Sequence, residues 1–168
     1  MLSEKLLAEL NDQIKYELLS ANYYLAMAAW CTDEDLDGFS HFFLIQAEEE
    51  RFHAMKFFNF IKDLGGRVII QGYPDPNNSF SSITDVFQAG LEHEQFVTKR
   101  IHGLLDLAKQ ENHHPTISFL QWFVNEQVEE EASFTGIVNK LRKLEGNMAG
   151  IFMLDAEMAK RTFTPPAE

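Results

Sequence analysis

Leu6, Leu7, Leu10, Ile14, Leu18, Ala21, Leu25 and Ala28 recur at intervals that line one face of an α-helix. The stripe predicts a helix over about 4–31, with Ser3 placed to cap it. TDEDLDG at 32–38 ends it with acidic cap residues and a glycine. A second stripe, Phe39, Phe43, Ala47, Ala54, Phe57, Ile61 and Leu64, predicts a helix over about 38–64, stopped by Gly65 and Gly66. RVIIQGYPDPNNSF is rich in turn residues, and VII at 68–70 is too short to found a sheet. Ser82 with Asp85 reads as a capping box that opens a third helix over about 82–111. Its stripe is Ile83, Phe87, Leu91, Val97, Ile101, Leu105 and Ala108. After ENHHP, Pro115 belongs in the first turn of a fourth helix over about 115–145, which carries Leu120, Phe123, Phe134, Ile137 and Leu141. Asn147 caps a short fifth helix over about 147–160, and TPPAE reads as a tail.

Connection lengths set the topology. The two short breaks imply antiparallel neighbours. The segment 65–79 reaches roughly 50 Å when extended, and a helix of about 28 residues is roughly 42 Å long. The segment is long enough to return along the whole bundle, which leaves helices two and three parallel. The expected architecture is an all-α, antiparallel four-helix bundle with one long crossover between helices two and three and a short fifth helix. A single domain over 1–168 is expected, without internal repeat or linker.

Each stripe is interrupted by a glutamate where an apolar residue belongs. Glu17 follows Ile14 by three and precedes Ala21 by four; Glu50 lies between Ala47 and Ala54. Glu94 lies between Leu91 and Val97, and Glu130 between Phe123 and Phe134. Positions three, four and seven apart share a helix face, so all four carboxylates point inward. Each sits about a dozen residues into its helix, so parallel and antiparallel helices alike deliver it to one layer.

Composition sharpens this picture. A formal charge of −12 argues against a nucleic-acid backbone as partner and suits cations. The lone Cys31 rules out a disulfide framework and a cysteine-based zinc site. No apolar run approaches a membrane span, and MLSEKLLAELNDQ lacks a signal-peptide pattern, so a cytoplasmic protein is expected. Four unpaired carboxylates in an apolar layer are severely unfavourable; either several stay protonated or cations occupy the layer. Two divalent ions match four glutamates in charge. His53, one turn from Glu50, adds a nitrogen in a Glu-x-x-His pair. Oxygen-rich ligands with one nitrogen suit Fe(II) or Mn(II) better than zinc or copper. Bridged redox-active ions pass two electrons to one oxidant.

Taken singly, these features have plainer readings. EEE at 48–50 and VEEEA at 128–132 are ordinarily solvated faces, and a lone histidine is ordinarily a hydrogen-bonded one. Four glutamates on four stripes at one height are hard to supply by accident. Gln127 shares the Glu130 face as a ligand donor or a polar core neighbour. Tyr24, seven after Glu17, faces the layer as a hydrogen-bond donor, an electron source or plain packing. Glu49, Glu126 and Glu129 form either an adjacent outer carboxylate cluster or a solvated surface.

These motifs together resemble those of non-haem prokaryotic ferritins, within the ferritin-like di-iron carboxylate family. The resemblance runs from Leu6 to Pro166 through QIKYE ending at Glu17, EEERFHA with Glu50 and His53, EHE ending at Glu94, and NEQVEEE at 125–131. It implies a first iron on Glu17, Glu50 and His53, with Glu50 bridging. It implies a second iron on Glu94, Glu130 and Glu50, with Gln127 beside it. It also implies a third iron site at Glu49, Glu126, Glu129 and Glu130, and a site-tyrosine role for Tyr24. The implied activity is a ferroxidase: Fe(II) is oxidised by dioxygen or hydrogen peroxide, and ferric oxide is stored inside a hollow 24-subunit homo-oligomeric cage. The fifth helix would sit near the fourfold axes of that cage.

Departures from related families refine the expectation. Bacterioferritins carry a second Glu-x-x-His, where this chain has Gln127-x-x-Glu130, so the second ion is expected to bind more weakly. They also place a haem-ligating methionine directly after the helix-two glutamate; Arg51 stands there, so no haem is expected. Two alternatives stay open. One is a non-catalytic structural cage subunit. The other is a di-iron peroxidase or oxygenase of the rubrerythrin type, disfavoured by the missing second Glu-x-x-His and the absence of Cys-x-x-Cys pairs.

Overall fold

Five α-helices make up all the regular structure of residues 2–166, which a computed structural model describes. They are α1 Glu4–Asp33, α2 Asp37–Asp63, α3 Ile83–Gln110, α4 His114–Lys143 and α5 Met148–Met158. Each bound falls within two residues of the expected one. The first residue of the expected domain and the last two residues of the expected tail lie outside the described residues.

Local chemistry explains where the helices start and stop. Ser3 Oγ accepts from the Leu6 N–H at 3.0 Å, Ser82 Oγ from the Asp85 N–H at 3.1 Å, and Asn147 Oδ1 from the Gly150 N–H at 3.0 Å. Gly65 and Gly146 take left-handed φ angles of 74° and 76°, which end α2 and α4 without the penalty a side chain would carry. The start of α2 has no such local cap, because Leu36 stands at its N-cap. Asp155 of α5 takes that role from a distance: its Oδ1 accepts from the Phe39 N–H at 2.8 Å. Gly38 permits the approach, since a Cβ there would lie 1.8 Å from the Asp155 carbonyl oxygen.

The crossover runs back along α1, as its length allows. Near its start, the Asn11 side chain donates to Arg67 O at 3.1 Å and accepts from the Ile69 N–H at 2.7 Å. Near its end, Phe80 packs edge-on against Trp30 at 6.1 Å. Asn11 and Trp30 stand roughly 28 Å apart along the helix, so the segment traverses most of the bundle. Helices α2 and α3 therefore run parallel, and Phe39 and Phe43 of α2 meet Phe87 near the start of α3. Residues 68–70 form no strand; Ile69 and Ile70 are exposed.

The core divides in two. One apolar cluster gathers Met27, Phe39, Phe43, Phe87, Phe134 and Leu141; the other gathers Leu6, Leu10, Phe57, Ile101, Leu120 and Phe123. Along every long helix the glutamates of the expected layer stand at the changeover between clusters. Leu7, Leu64 and Leu91 of the expected stripes are only half-buried, and two further leucines leave the buried face: Leu25 is exposed and Leu18 half-buried. These two sit one position after Tyr24 and Glu17, about 100° further round the helix, which carries them off the buried face.

The α5 contact generates a prediction. Asp155→Ala removes the distant cap and should cost about 1 kcal/mol. Gly38→Ala should cost more, because backbone rather than a flexible side chain must move away. Thermal unfolding ranks the two, and hydrogen exchange should rise in α5 and the first turn of α2.

Candidate metal centre

Glu17, Glu50, Glu94 and Glu130 are all buried, one from each long helix, together with His53 and Gln127. Glu17, Glu50 and His53 each offer a ligand atom, and these atoms all lie within 4.8 Å of one another. His53 Nδ1 lies 3.3 Å from Glu50 Oε2 and 3.8 Å from Glu17 Oε2. The i, i+3 spacing on α2 puts Glu50 and His53 on one face, and Trp122 and Phe123 wall the imidazole edge-on.

The other two glutamates join through shared donors. Glu94 Oε1 accepts from the Tyr24 hydroxyl, and Glu94 Oε2 accepts from Gln127 Nε2 at 3.1 Å. Gln46 Nε2 donates both to Glu50 Oε1 at 3.2 Å and to Glu130 Oε2 at 3.0 Å, tying those two carboxyls together. Gln13 Nε2 donates to Glu17 Oε1 at 2.9 Å. One atom is left over: among the described residues, Glu17 Oε2 is the buried side-chain oxygen or nitrogen without a hydrogen-bond partner. An orphaned carboxylate oxygen facing a second carboxylate and an imidazole is a donor set that could hold a cation.

The outer carboxylates are not gathered in the same way. Glu49 is mostly buried beneath Arg161, whose Nη2 donates to its Oε2 at 2.7 Å. Glu126 Oε1 lies 4.0 Å from His53 Nε2, while Glu129 is exposed. Glu48 is exposed as well, so the EEE run divides into one solvated, one ion-paired and one inward-facing carboxylate.

Sequence reasoning missed several residues around the layer. Gln13, Gln46 and His93 are buried, and Arg100 and Arg161 contact the two glutamines. Buried glutamines on the stripes were a usable signal for the first two. His93 follows no such pattern; it packs on Tyr23 and meets Ser20 at 2.7 Å. The Ser20 hydroxyl donates to Tyr16 O, so the His93 Nε2–H donates to Ser20, and burial lowers its pKa to about 4. It is a neutral neighbour of the layer.

Electrostatics follow from burial. Loss of solvent, then the Glu50 charge, pushes Glu17 up to about 8, and the same two causes push Glu94 up to about 8. Glu50 and Glu130 are raised likewise, by burial first and then by a neighbouring carboxylate. Tyr24 is raised well above its ordinary value by burial and by Glu94. Each of these carboxyl shifts favours the protonated form at neutral pH.

The chain has relatives along nearly its whole length. The Ferritin family, a ferritin-like domain, matches residues 7–144. The chain is 43% identical over 163 residues to a bacterial non-heme ferritin of Staphylococcus aureus (strain MRSA252), covering 97% of this chain and 98% of that protein. A bacterial non-heme ferritin of Staphylococcus saprophyticus is 42% identical over the same shares. Among solved structures, an open pore ferritin from the hyperthermophilic archaeon Archaeoglobus fulgidus superimposes with a TM-score of 0.96 at 43% identity. That match covers 96% of this chain and 100% of the archaeal one.

The raised carboxyls generate a pH prediction. A carboxyl at about 8 in the fold and 4.5 in the unfolded chain binds extra protons only when folded. Its burial therefore carries no ionisation penalty below pH 4.5, grows costlier as pH rises, and levels off above about 8. The metal-free protein should lose stability across that window, and divalent cations should restore it. Calorimetry of anaerobic Fe(II) binding in two buffers of different ionisation enthalpy should show proton release, larger below pH 8 than above. Equal heats in the two buffers would contradict the protonated layer.

Proposed function

Because the chain belongs to the ferritin family, we propose that it is a ferroxidase and iron-storage subunit whose substrate, Fe(II), binds in the mid-bundle layer. One observation carries this reading: ligand atoms of Glu17, Glu50 and His53 within 4.8 Å of one another, buried between two apolar clusters. Glu17 and His53 hold the first Fe(II), and Glu50 stands between it and the second. Glu94 and Glu130 hold the second, with Gln127 alongside. Both Glu94 oxygens accept hydrogen bonds, one from Tyr24 and one from Gln127. Cation binding there exchanges hydrogen bonds for coordination, which weakens the second site relative to the first.

The redox balance is simple. Two Fe(II) give up one electron each; dioxygen takes both electrons and two protons to become hydrogen peroxide, and hydrogen peroxide taking them instead becomes water. Protons displaced from the glutamates are available for that step. The protein's part is to place two ions side by side, compensate their charge and exclude competing reactions. Tyr24, hydrogen-bonded to Glu94 and stacked against both Phe43 and Phe134, is a protein electron donor beside the layer.

We further propose that the ferric product is stored as hydrated oxide within a 24-subunit cage of this chain, in the cytoplasm, without haem. Among the described residues no helix is long and apolar enough to cross a membrane. Glu49, Glu126, Glu129 and Glu130 supply a third iron site, in which Glu49 would exchange its pairing with Arg161 for the ion.

Glu50→Ala tests the reading against a purely structural subunit. Fe(II) oxidation, followed by absorbance of the ferric product after oxygen is added, should be nearly abolished while the assembly elutes at its normal size. Unchanged kinetics in an intact assembly would overturn it.

A further inference from the structure

Two arginines outside the layer reach it through glutamine amides. On the α1–α3 side, Arg100 Nε donates to Gln13 Oε1 at 3.0 Å, and Gln13 Nε2 donates to Glu17 Oε1 at 2.9 Å. On the α2 side, Arg161, which follows α5, donates from Nη2 to Gln46 Oε1 at 2.6 Å. Gln46 Nε2 then donates to Glu50 Oε1 at 3.2 Å and Glu130 Oε2 at 3.0 Å. Both glutamines are fully buried.

The order of donors in each chain is forced by chemistry. A guanidinium only donates, so it engages the oxygen end of the amide and leaves the N–H end for the carboxylate. Turned the other way, the amide would set oxygen against oxygen and nitrogen against guanidinium. The arginines are themselves braced from outside. Arg100 lies over the Tyr16 ring at 4.0 Å and beside Glu9 and Asp12. Arg161 lies over the Phe42 ring at 4.1 Å, donates to Phe42 O and pairs with Glu49.

The two chains have one consequence in common. Each occupies Oε1 of its glutamate, and the remaining oxygens, Glu17 Oε2 and Glu50 Oε2, lie 3.8 and 3.3 Å from His53 Nδ1. We propose that Arg100–Gln13 and Arg161–Gln46 are positioning relays of the metal centre. Each ties down Oε1 of one glutamate, Glu17 or Glu50, and turns its Oε2 toward the point shared with His53, while Gln46 also holds Glu130 Oε2. The proposal rests on the metal-binding reading above. None of the four residues touches the substrate ion; they act through Glu17, Glu50 and Glu130. Partners of this kind around a metal site typically govern affinity by about 10–100-fold.

The test uses the assembled protein and Co(II) as an anaerobic probe, read by its visible absorption, with Fe(II) oxidation measured in parallel. Gln13→Leu and Gln46→Leu should each weaken Co(II) binding roughly 10–100-fold, and raise the Fe(II) concentration for half-maximal rate more than they lower the maximal rate. Arg100→Met and Arg161→Met should act in the same direction. These partly exposed positions carry the test where a buried leucine prevents folding. The decisive readout is the double variant. If an arginine acts through its glutamine, Gln46→Leu with Arg161→Met binds Co(II) no more weakly than Gln46→Leu alone, and likewise for Gln13 with Arg100. Additive losses overturn the relays, as does Co(II) affinity within about twofold of the parent in the single variants. Glu50→Ala is the control. Loss of Co(II) binding there upholds the metal centre and leaves the relays to be decided by the glutamine and arginine variants, whereas parent-like binding overturns both.

Discussion

Four carboxyl groups buried at one level of an apolar bundle dominate the energetics of this protein. A lone ionised carboxylate in such surroundings is strongly unfavourable, and neighbours of the same charge make it worse. The fold answers in two ways. Burial favours the protonated carboxyls, as the upward shifts of Glu17 and Glu94 to about 8 express. In the proposed metal-bound form, coordination would take the place of those protons. The apolar clusters on either side offer no polar partners, so the layer's charge must be balanced within the layer itself.

The remaining polar groups hydrogen-bond most of the carboxylate oxygens and leave a few open. Tyr24 and Gln127 hold Glu94, Gln46 holds Glu50 and Glu130, and Gln13 holds Glu17. What stays open is the triangle of Glu17, Glu50 and His53, with Glu17 Oε2 unpartnered. An amide donor supports a carboxylate without adding charge, which leaves the cation as the species that completes the balance. Placing the arginines one residue further out keeps their charge from competing directly for the layer.

Much of this was legible along the chain. The glutamates announced themselves because each interrupts an apolar stripe at a position whose face the neighbouring residues define. Ser3, Ser82 and Asn147 announced helix starts, and Gly65 and Gly146 helix ends, because capping is settled within a few residues. The legible features share a short reach. Leu25 shows the limit of the method: a leucine at a plausible interval lies one step round the helix from the buried face.

The sequence by itself therefore determined the helices, their order, and which carboxylates face inward, since periodicity and capping are local physics. Tertiary structure decided which oxygen of each carboxylate is free, that Glu49 pairs with Arg161, and that Asp155 caps α2. Those outcomes draw on contacts far apart along the chain: Tyr24 with Glu94 at 70 positions, Gln46 with Glu130 at 84, Glu49 with Arg161 at 112 and Phe39 with Asp155 at 116. Such contacts leave no periodic trace, because only the packing of one helix against another brings their atoms within hydrogen-bonding distance.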